Sequence, residues 1–189
     1  TFRIDGVFSV THDLAKWAHT GLGIPEDRIK VLPNFINPPR TYIKSNTLPG
    51  EADFRVIFVA NIFSQKNQLG LLKAFRLVVN KETRAHLILV GAPVEKDYYQ
   101  QVISEISKQN LEQNVTCLGG RGDVPVILAS CAVAILGSAS EGFPLVLLEY
   151  GWASMPVVVT NVGGCAEIVD RGNAGMLVEH GDYQGMAQC

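Results

Sequence analysis

The stretch CAVAILGSASEGFPLVLLEYGWA, residues 131–153, decides the fold. Its apolar run from Ala132 to Leu136 reads as a buried strand. A polar turn follows, then a helical stretch from Leu145 to Ala153. Pro144 stands where the first helical turn begins, a position at which proline's missing N–H costs nothing. The product is a strand, a short turn and a helix N-terminus. Such a terminus offers free N–H groups and the positive end of the helix dipole, and so suits a phosphate. Two carboxylates, Glu141 and Glu149, lie beside it and suit sugar hydroxyls. The combination points to a nucleotide-sugar.

Outward from this stretch the same rhythm recurs. Apolar runs that read as strands cover 6–11, 29–33, 54–60, 85–91, 114–119, 131–136, 156–160 and 175–178. Helical stretches lie at 12–21, 67–80, 96–110, 124–129, 145–154 and 165–170. In the second of these, Leu71, Leu72, Phe75 and Val78 recur at helical spacing. The strands are continuously apolar rather than alternating, the pattern of a parallel sheet covered on both faces. Strand–helix alternation of this kind predicts an α/β fold, a Rossmann-like doubly wound parallel sheet. Residues 34–53 break the rhythm with Pro38, Pro39, Pro49 and Gly50, and read as an extended connector. The expected organisation is a strand–helix–strand piece over 1–36, a connector over 37–53 and a sheet domain over 54–189.

Composition narrows the function. With 189 residues, 47% of them hydrophobic, the chain can bury a real core. A net charge of −2 and an isoelectric point of about 6.1, with basic residues scattered, give no electrostatic case for nucleic acid. No apolar run approaches the roughly 18 residues of a membrane span. Cys117, Cys131, Cys165 and Cys189 show no Cys-x-x-Cys spacing and read as reduced, buried thiols of a cytoplasmic protein. The chain begins at Thr1 without methionine and stops soon after Gly181-Asp182, where a helix starts. Both ends read as cut, so a piece of a longer protein is expected.

In open α/β sheets, ligands bind beyond the carboxyl ends of the strands. Three loops leave such ends: 61–66, 120–125 and 137–144. Lys66, at the start of a helix, is a mobile point charge suited to a diphosphate, though it equally suits a solvated surface. Glu141 and Glu149 have the plain alternative of solvating a helix end. His12, His19, His86 and His180 are isolated from one another, and no metal-ligand spacing appears. The chain has no Asp-x-Asp to hold a metal on donor phosphates, so no metal and no cofactor are expected.

Glu141-Gly142-Phe143-Pro144-Leu145-Val146-Leu147-Leu148-Glu149 resembles the E-x7-E motif of the retaining glycosyltransferases of family 4, enzymes of two Rossmann-like domains known as the GT-B fold. VTCLGGRGDVP (115–125) is similar to the strand and turn before the family's fourth strand, and PVVVTNVGGCAEIV (156–169) to the strand and Gly-Gly turn after the motif. FVANIFSQK (58–66) resembles the first strand and phosphate loop, and IKVLPNFIN (29–37) the crossing between the domains. The resemblance covers nearly the whole chain. It implies that Glu149 holds the ribose hydroxyls, that Glu141 contacts the transferred sugar, and that Gly142, Phe143, Pro144 and Leu145 face the sugar and phosphates. It further implies that Lys66, with Asn61 nearby, neutralises the diphosphate and that the turn carrying Gly119, Gly120 and Arg121 flanks the base. The family often has an arginine where Asn61 or Phe63 stands, alanine at Tyr150 and glycine at Ser154. Tyr150 is thereby expected to crowd the helix packing or narrow the ribose pocket.

The reaction so implied is transfer of a sugar from a nucleoside diphosphate to an acceptor hydroxyl, with retention at the anomeric carbon. Its partners are a nucleotide-sugar donor and a glycan or lipid-linked acceptor, the latter reached through an N-terminal domain that this sequence lacks. A cytoplasmic place with loose membrane association of the longer protein follows from such acceptors, as does inactivity of this piece alone. Three alternatives stay open. One is another GT-B enzyme, such as a nucleotide-sugar 2-epimerase. The second is a non-catalytic nucleotide-binding module, against whose dinucleotide form the glycine-free loop 61–66 argues. The third is a degenerate interaction protein that keeps the fold without activity, left open by Asn61, Phe63 and Tyr150.

Overall fold

The computed structural model describes residues 5–37, 44 and 47–189. Two parallel sheets organise them. The smaller holds β1 (Val7–Ser9) and β2 (Ile29–Val31), joined by α1 (His12–Leu22), with Val7 opposite Ile29. The larger is built from β3 (Arg55–Val59), β4 (His86–Val90), β5 (Val115–Gly119), β6 (Val133–Leu136), β7 (Val157–Thr160) and β8 (Met176–Val178). Its six strands run parallel in the order β5-β4-β3-β6-β7-β8. The helices between them are α2 (Gln68–Val79), α3 (Lys96–Lys108), α4 (Val124–Leu128), α5 (Leu145–Trp152) and α6 (Cys165–Ile168), and α7 (Tyr183–Met186) follows β8.

The strand order fixes where a ligand can sit. From β3 the chain steps outward to β4 and β5; from β6 it steps the opposite way to β7 and β8. Right-handed crossovers then send α2 and α3 to one face and α5 and α6 to the other. In keeping with this, α2 packs against α3, and α5 against α6. The neighbours β3 and β6 thus flank the switch point, where helices leave in opposite directions and a crevice opens.

The expected elements form, with ends shifted by a residue or two. β4 and β7 are buried at every position, as their unbroken apolar runs require. The core joins Ile57 and Phe58 of β3, Leu71, Leu72 and Phe75 of α2, Leu87 to Val90 of β4 and Leu136 of β6. Tyr150 belongs to it as well. Its ring is fully buried, and its hydroxyl accepts from the Val59 N–H at 3.0 Å. The expectation that it narrows a ribose pocket is therefore corrected: Tyr150 points into the core and ties α5 to β3.

Of the connector 37–53, residues 38–43, 45 and 46, with Pro38 and Pro39, lie outside the described residues. Its end is pinned by Arg55, a buried guanidinium that donates to the carbonyls of Leu48, Pro49, Gly50 and Ser130. Buried charge is tolerated here because acceptors ring it. The strand–helix–strand unit meets the larger sheet through Glu167 of α6. That carboxylate accepts from the His12 backbone N–H at 3.1 Å and sits 2.8 Å from His12 Nδ1. No helix among the described residues is long and apolar enough to cross a membrane. The four cysteines are free; Cys165 is buried as expected, whereas Cys117 and Cys131 are only half-buried and Cys189 is exposed.

Candidate functional site

The β3 and β6 loops meet over the switch point. Lys66 does not open a helix, as the sequence suggested. It ends a short 3-10 turn, Ser64–Lys66, and α2 begins only after Asn67. Asn67 takes the left-handed conformation (φ 56°), accepts from the Gly70 N–H to cap α2, and donates to the Gly137 carbonyl at 3.1 Å. Gln65 joins the same seam. Its amide donates to the Ser140 carbonyl and its own carbonyl accepts from the Ala139 N–H, both at 2.8 Å. Two loops far apart in sequence are thus stitched into one surface.

At the centre of that surface Lys66 Nζ donates to Glu141 Oε1 at 2.6 Å. The side chains are 19% and 7% exposed, so the pair is shielded from water and attracts more strongly than a surface pair. Ser138, fully buried, donates its hydroxyl to the same oxygen at 2.6 Å. The Phe63 ring, which stands where the resembled family often has arginine, lies 5.7 Å from Lys66 Nζ, within reach of a cation–π contact. Burial, with Glu141 adding to it, pushes the neighbouring Cys165 thiol up to about 12, which favours the protonated form.

Gly142 to Pro144 lead from this pair into α5. Pro144 is the residue before the helix rather than its first, one place earlier than expected. The first N–H groups of α5 lack intrahelical acceptors by geometry and favour an anion. Leu145 stands exposed at that terminus. The loop is held from behind by Gly163 and Gly164. The Gly164 N–H donates to the Gly142 carbonyl at 2.9 Å. A Cβ at Gly163 would fall 1.7 Å from the Glu141 carbonyl oxygen, so only glycine allows this approach.

Glu149 lies farther along α5. It borders a cavity of about 270 Å³ whose other walls are Ile36, Asn37, Val59, Val124, Pro125 and Leu128. Burial among these apolar groups raises its carboxyl above the usual range. The turn carrying Gly119 and Gly120 feeds into α4, which forms one wall of that cavity. Arg121, in the same turn, has its guanidinium engaged by a neighbour. It pairs with Asp123 through two hydrogen bonds of 2.8 and 2.7 Å at the surface. Asn61 is likewise used for support. Its side-chain oxygen accepts from the Ala92 N–H at 3.0 Å and its carbonyl from the Gln68 amide at 3.1 Å. Among the described residues no group of three or more His, Cys, Asp and Glu could hold a metal ion.

The structure therefore brings Lys66, Glu141 and the Gly142–Pro144 loop together, sets Glu149 on a cavity farther along α5, and pairs Arg121 with Asp123. Sequence reasoning missed Ser138, Gln65 and Asn67. The signal for Ser138 was its place three residues before Glu141 at the end of an apolar strand.

Comparison with known proteins gives the family and agrees with the fold. Residues 40–188 match the family described as glycosyl transferases group 1. The chain is 31% identical to the N-acetyl-alpha-D-glucosaminyl L-malate synthase of Bacillus anthracis over 97% of this chain and 48% of that protein. It spans about half the length of the curated relatives it matches. Among solved structures, HepE of Anabaena, in complex with UDP, superposes with a TM-score of 0.85 at 26% identity, covering 97% of this chain and 52% of that one. WaaG, a glycosyltransferase involved in lipopolysaccharide biosynthesis, shares the fold with a TM-score of 0.79 at 20% identity, over 96% and 51% of the two chains. With a shielded Lys–Glu pair at the switch point of a GT-B sheet, and a family match over most of its length, the chain belongs to the glycosyl transferases group 1.

Proposed function

We propose that this chain is the donor-binding half of a retaining glycosyltransferase that takes a sugar from a nucleoside diphosphate. The observation that carries the reading is the Lys66–Glu141 pair at the switch point, beside an apolar cavity bearing Glu149. HepE was solved with UDP, with UDP and glucose, and with UDP-glucose, which favours uridine as the base. In this reading the nucleoside fills the cavity and Glu149 accepts from the ribose hydroxyls. The diphosphate lies over the N-terminus of α5 within reach of Lys66. Residues 54–189 form the donor domain, residues 1–36 belong to the acceptor-side domain, and the acceptor is a glycan or lipid-linked hydroxyl bound there.

Cleavage of the sugar–phosphate bond builds negative charge on the diphosphate and positive charge on the sugar ring. The α5 N–H groups and Lys66, once it is drawn to the bound diphosphate, receive the first, and Glu141 faces the second. This scheme needs no metal, because the ammonium supplies the cation. Phosphate binding without an arginine at position 61 or 63 rests on Lys66 alone among side-chain cations of this loop.

Titration calorimetry of the chain with UDP and GDP tests the reading. One nucleotide is expected to bind, and both Lys66→Ala and Glu149→Ala are expected to weaken it by about tenfold or more, the worth of a charge-assisted hydrogen bond. Binding indifferent to both substitutions, in variants that melt like the parent, would sink the assignment.

A further inference from the structure

Glu141 Oε1 receives two donors at once, the Lys66 ammonium and the Ser138 hydroxyl, each at 2.6 Å. The two differ in what holds them. Lys66 reaches the carboxylate from a 3-10 turn on a flexible four-carbon stem. Ser138 is fully buried at the end of β6 and is braced from the next strand. There Thr160, 1% exposed, donates its hydroxyl to the Ser138 carbonyl at 2.7 Å and to that of Leu136 at 3.2 Å. The lysine stem has several rotatable bonds, whereas Ser138 is short, buried and held at its backbone.

This inference rests on the reading that Lys66 serves the donor diphosphate. When the diphosphate draws the ammonium off, a carboxylate only 7% exposed loses its cation. A buried carboxylate left without a donor is strongly unfavourable, and that cost would count against diphosphate binding. We propose that Ser138 is a positioning residue, which keeps Glu141 Oε1 bonded and in place while Lys66 moves from Glu141 to the diphosphate. It need not touch the ligand. Its part is to make the transfer of Lys66 affordable and to keep the carboxylate from turning with the lysine.

The discriminating experiment is an NMR titration of the chain with UDP and with uridine, which has no phosphate to draw Lys66 away. Ser138→Ala is expected to weaken UDP about tenfold and to leave uridine within about twofold, as befits loss of one hydrogen bond to a charged group. Ser138→Cys fills the same space with a weak donor and is expected to lose UDP affinity in the same direction. In a Glu141→Gln background, where no carboxylate waits to be held, Ser138→Ala is expected to change UDP affinity by less than about twofold. A structural role for Ser138 gives the opposite result: equal losses for UDP and uridine, or a loss that persists in the Glu141→Gln background. Unchanged UDP affinity in Ser138→Ala overturns the inference and leaves the donor-site reading standing. Failure of the parent chain to bind either ligand overturns both.

Discussion

Glu149 shows how a single residue can be costly to the fold and still suit a ligand. Its carboxyl borders Val59, Val124, Pro125 and Leu128, and its burial among them raises it above the ordinary carboxylate value of 4.5. The folded chain then holds that proton more tightly than the unfolded chain. Stability from this group is full in acid, below 4.5, and is lost as pH rises through the folded value. Glu149→Gln is expected to melt higher than the parent at pH 7 while binding nucleotide less well, with the melting difference shrinking below pH 4.5. Thermal melts across pH read the first effect; a Gln variant that melts lower at pH 7 contradicts it. Tyr150, standing where the resembled family has alanine, is expected either to crowd the helix packing or to narrow the ribose pocket; its ring lies in the core. Nothing in a sequence tells which way an aromatic ring on a largely apolar helix turns, because apolar residues surround it on every side. Lys66 and Glu141 were legible as charges at strand ends. Their bond to each other was not, since it depends on β3 and β6 being neighbours.

At the scale of the element, α5 closes with a pair of hydrogen bonds that want a glycine. The Met155 N–H donates to the Tyr150 carbonyl at 3.1 Å, and the Ser154 N–H to that of Gly151 at 2.9 Å. This pattern places Ser154 in the left-handed region at φ 54°. A side chain there costs roughly 1 kcal/mol. Ser154 is exposed and makes no demand on packing. Ser154→Gly is therefore expected to stabilise the chain by about 0.5–1 kcal/mol in urea denaturation, without altering nucleotide affinity. A destabilised variant would mean that the turn is held otherwise. The departure from the family's glycine was visible in the sequence; its physical meaning required the backbone. The same holds for α2, whose start slipped from residue 67 to Gln68. Asn67 spends its side chain on the cap and on the Gly137 carbonyl of another loop.

At the scale of the molecule, strand order turns a list of loops into a site. Alternation of apolar runs with helical stretches was enough to read a parallel, doubly wound sheet, because each strand carries its own burial pattern. Strand order is a property of pairs, and no single run encodes it. Only with β3 beside β6 do loops 61–67 and 137–144 face each other, with α4 closing the cavity beside Glu149. The account's central claim is that the donor diphosphate binds at this switch point, between Lys66 and the start of α5. Amide chemical-shift mapping with UDP tests it most directly. The expected shifts fall on residues 64–67, 138–147 and the 119–124 turn, while the opposite rim around Pro49, His86 and Thr116 stays still. Shifts confined to that opposite rim, or spread without regard to the β3 and β6 loops, would contradict it.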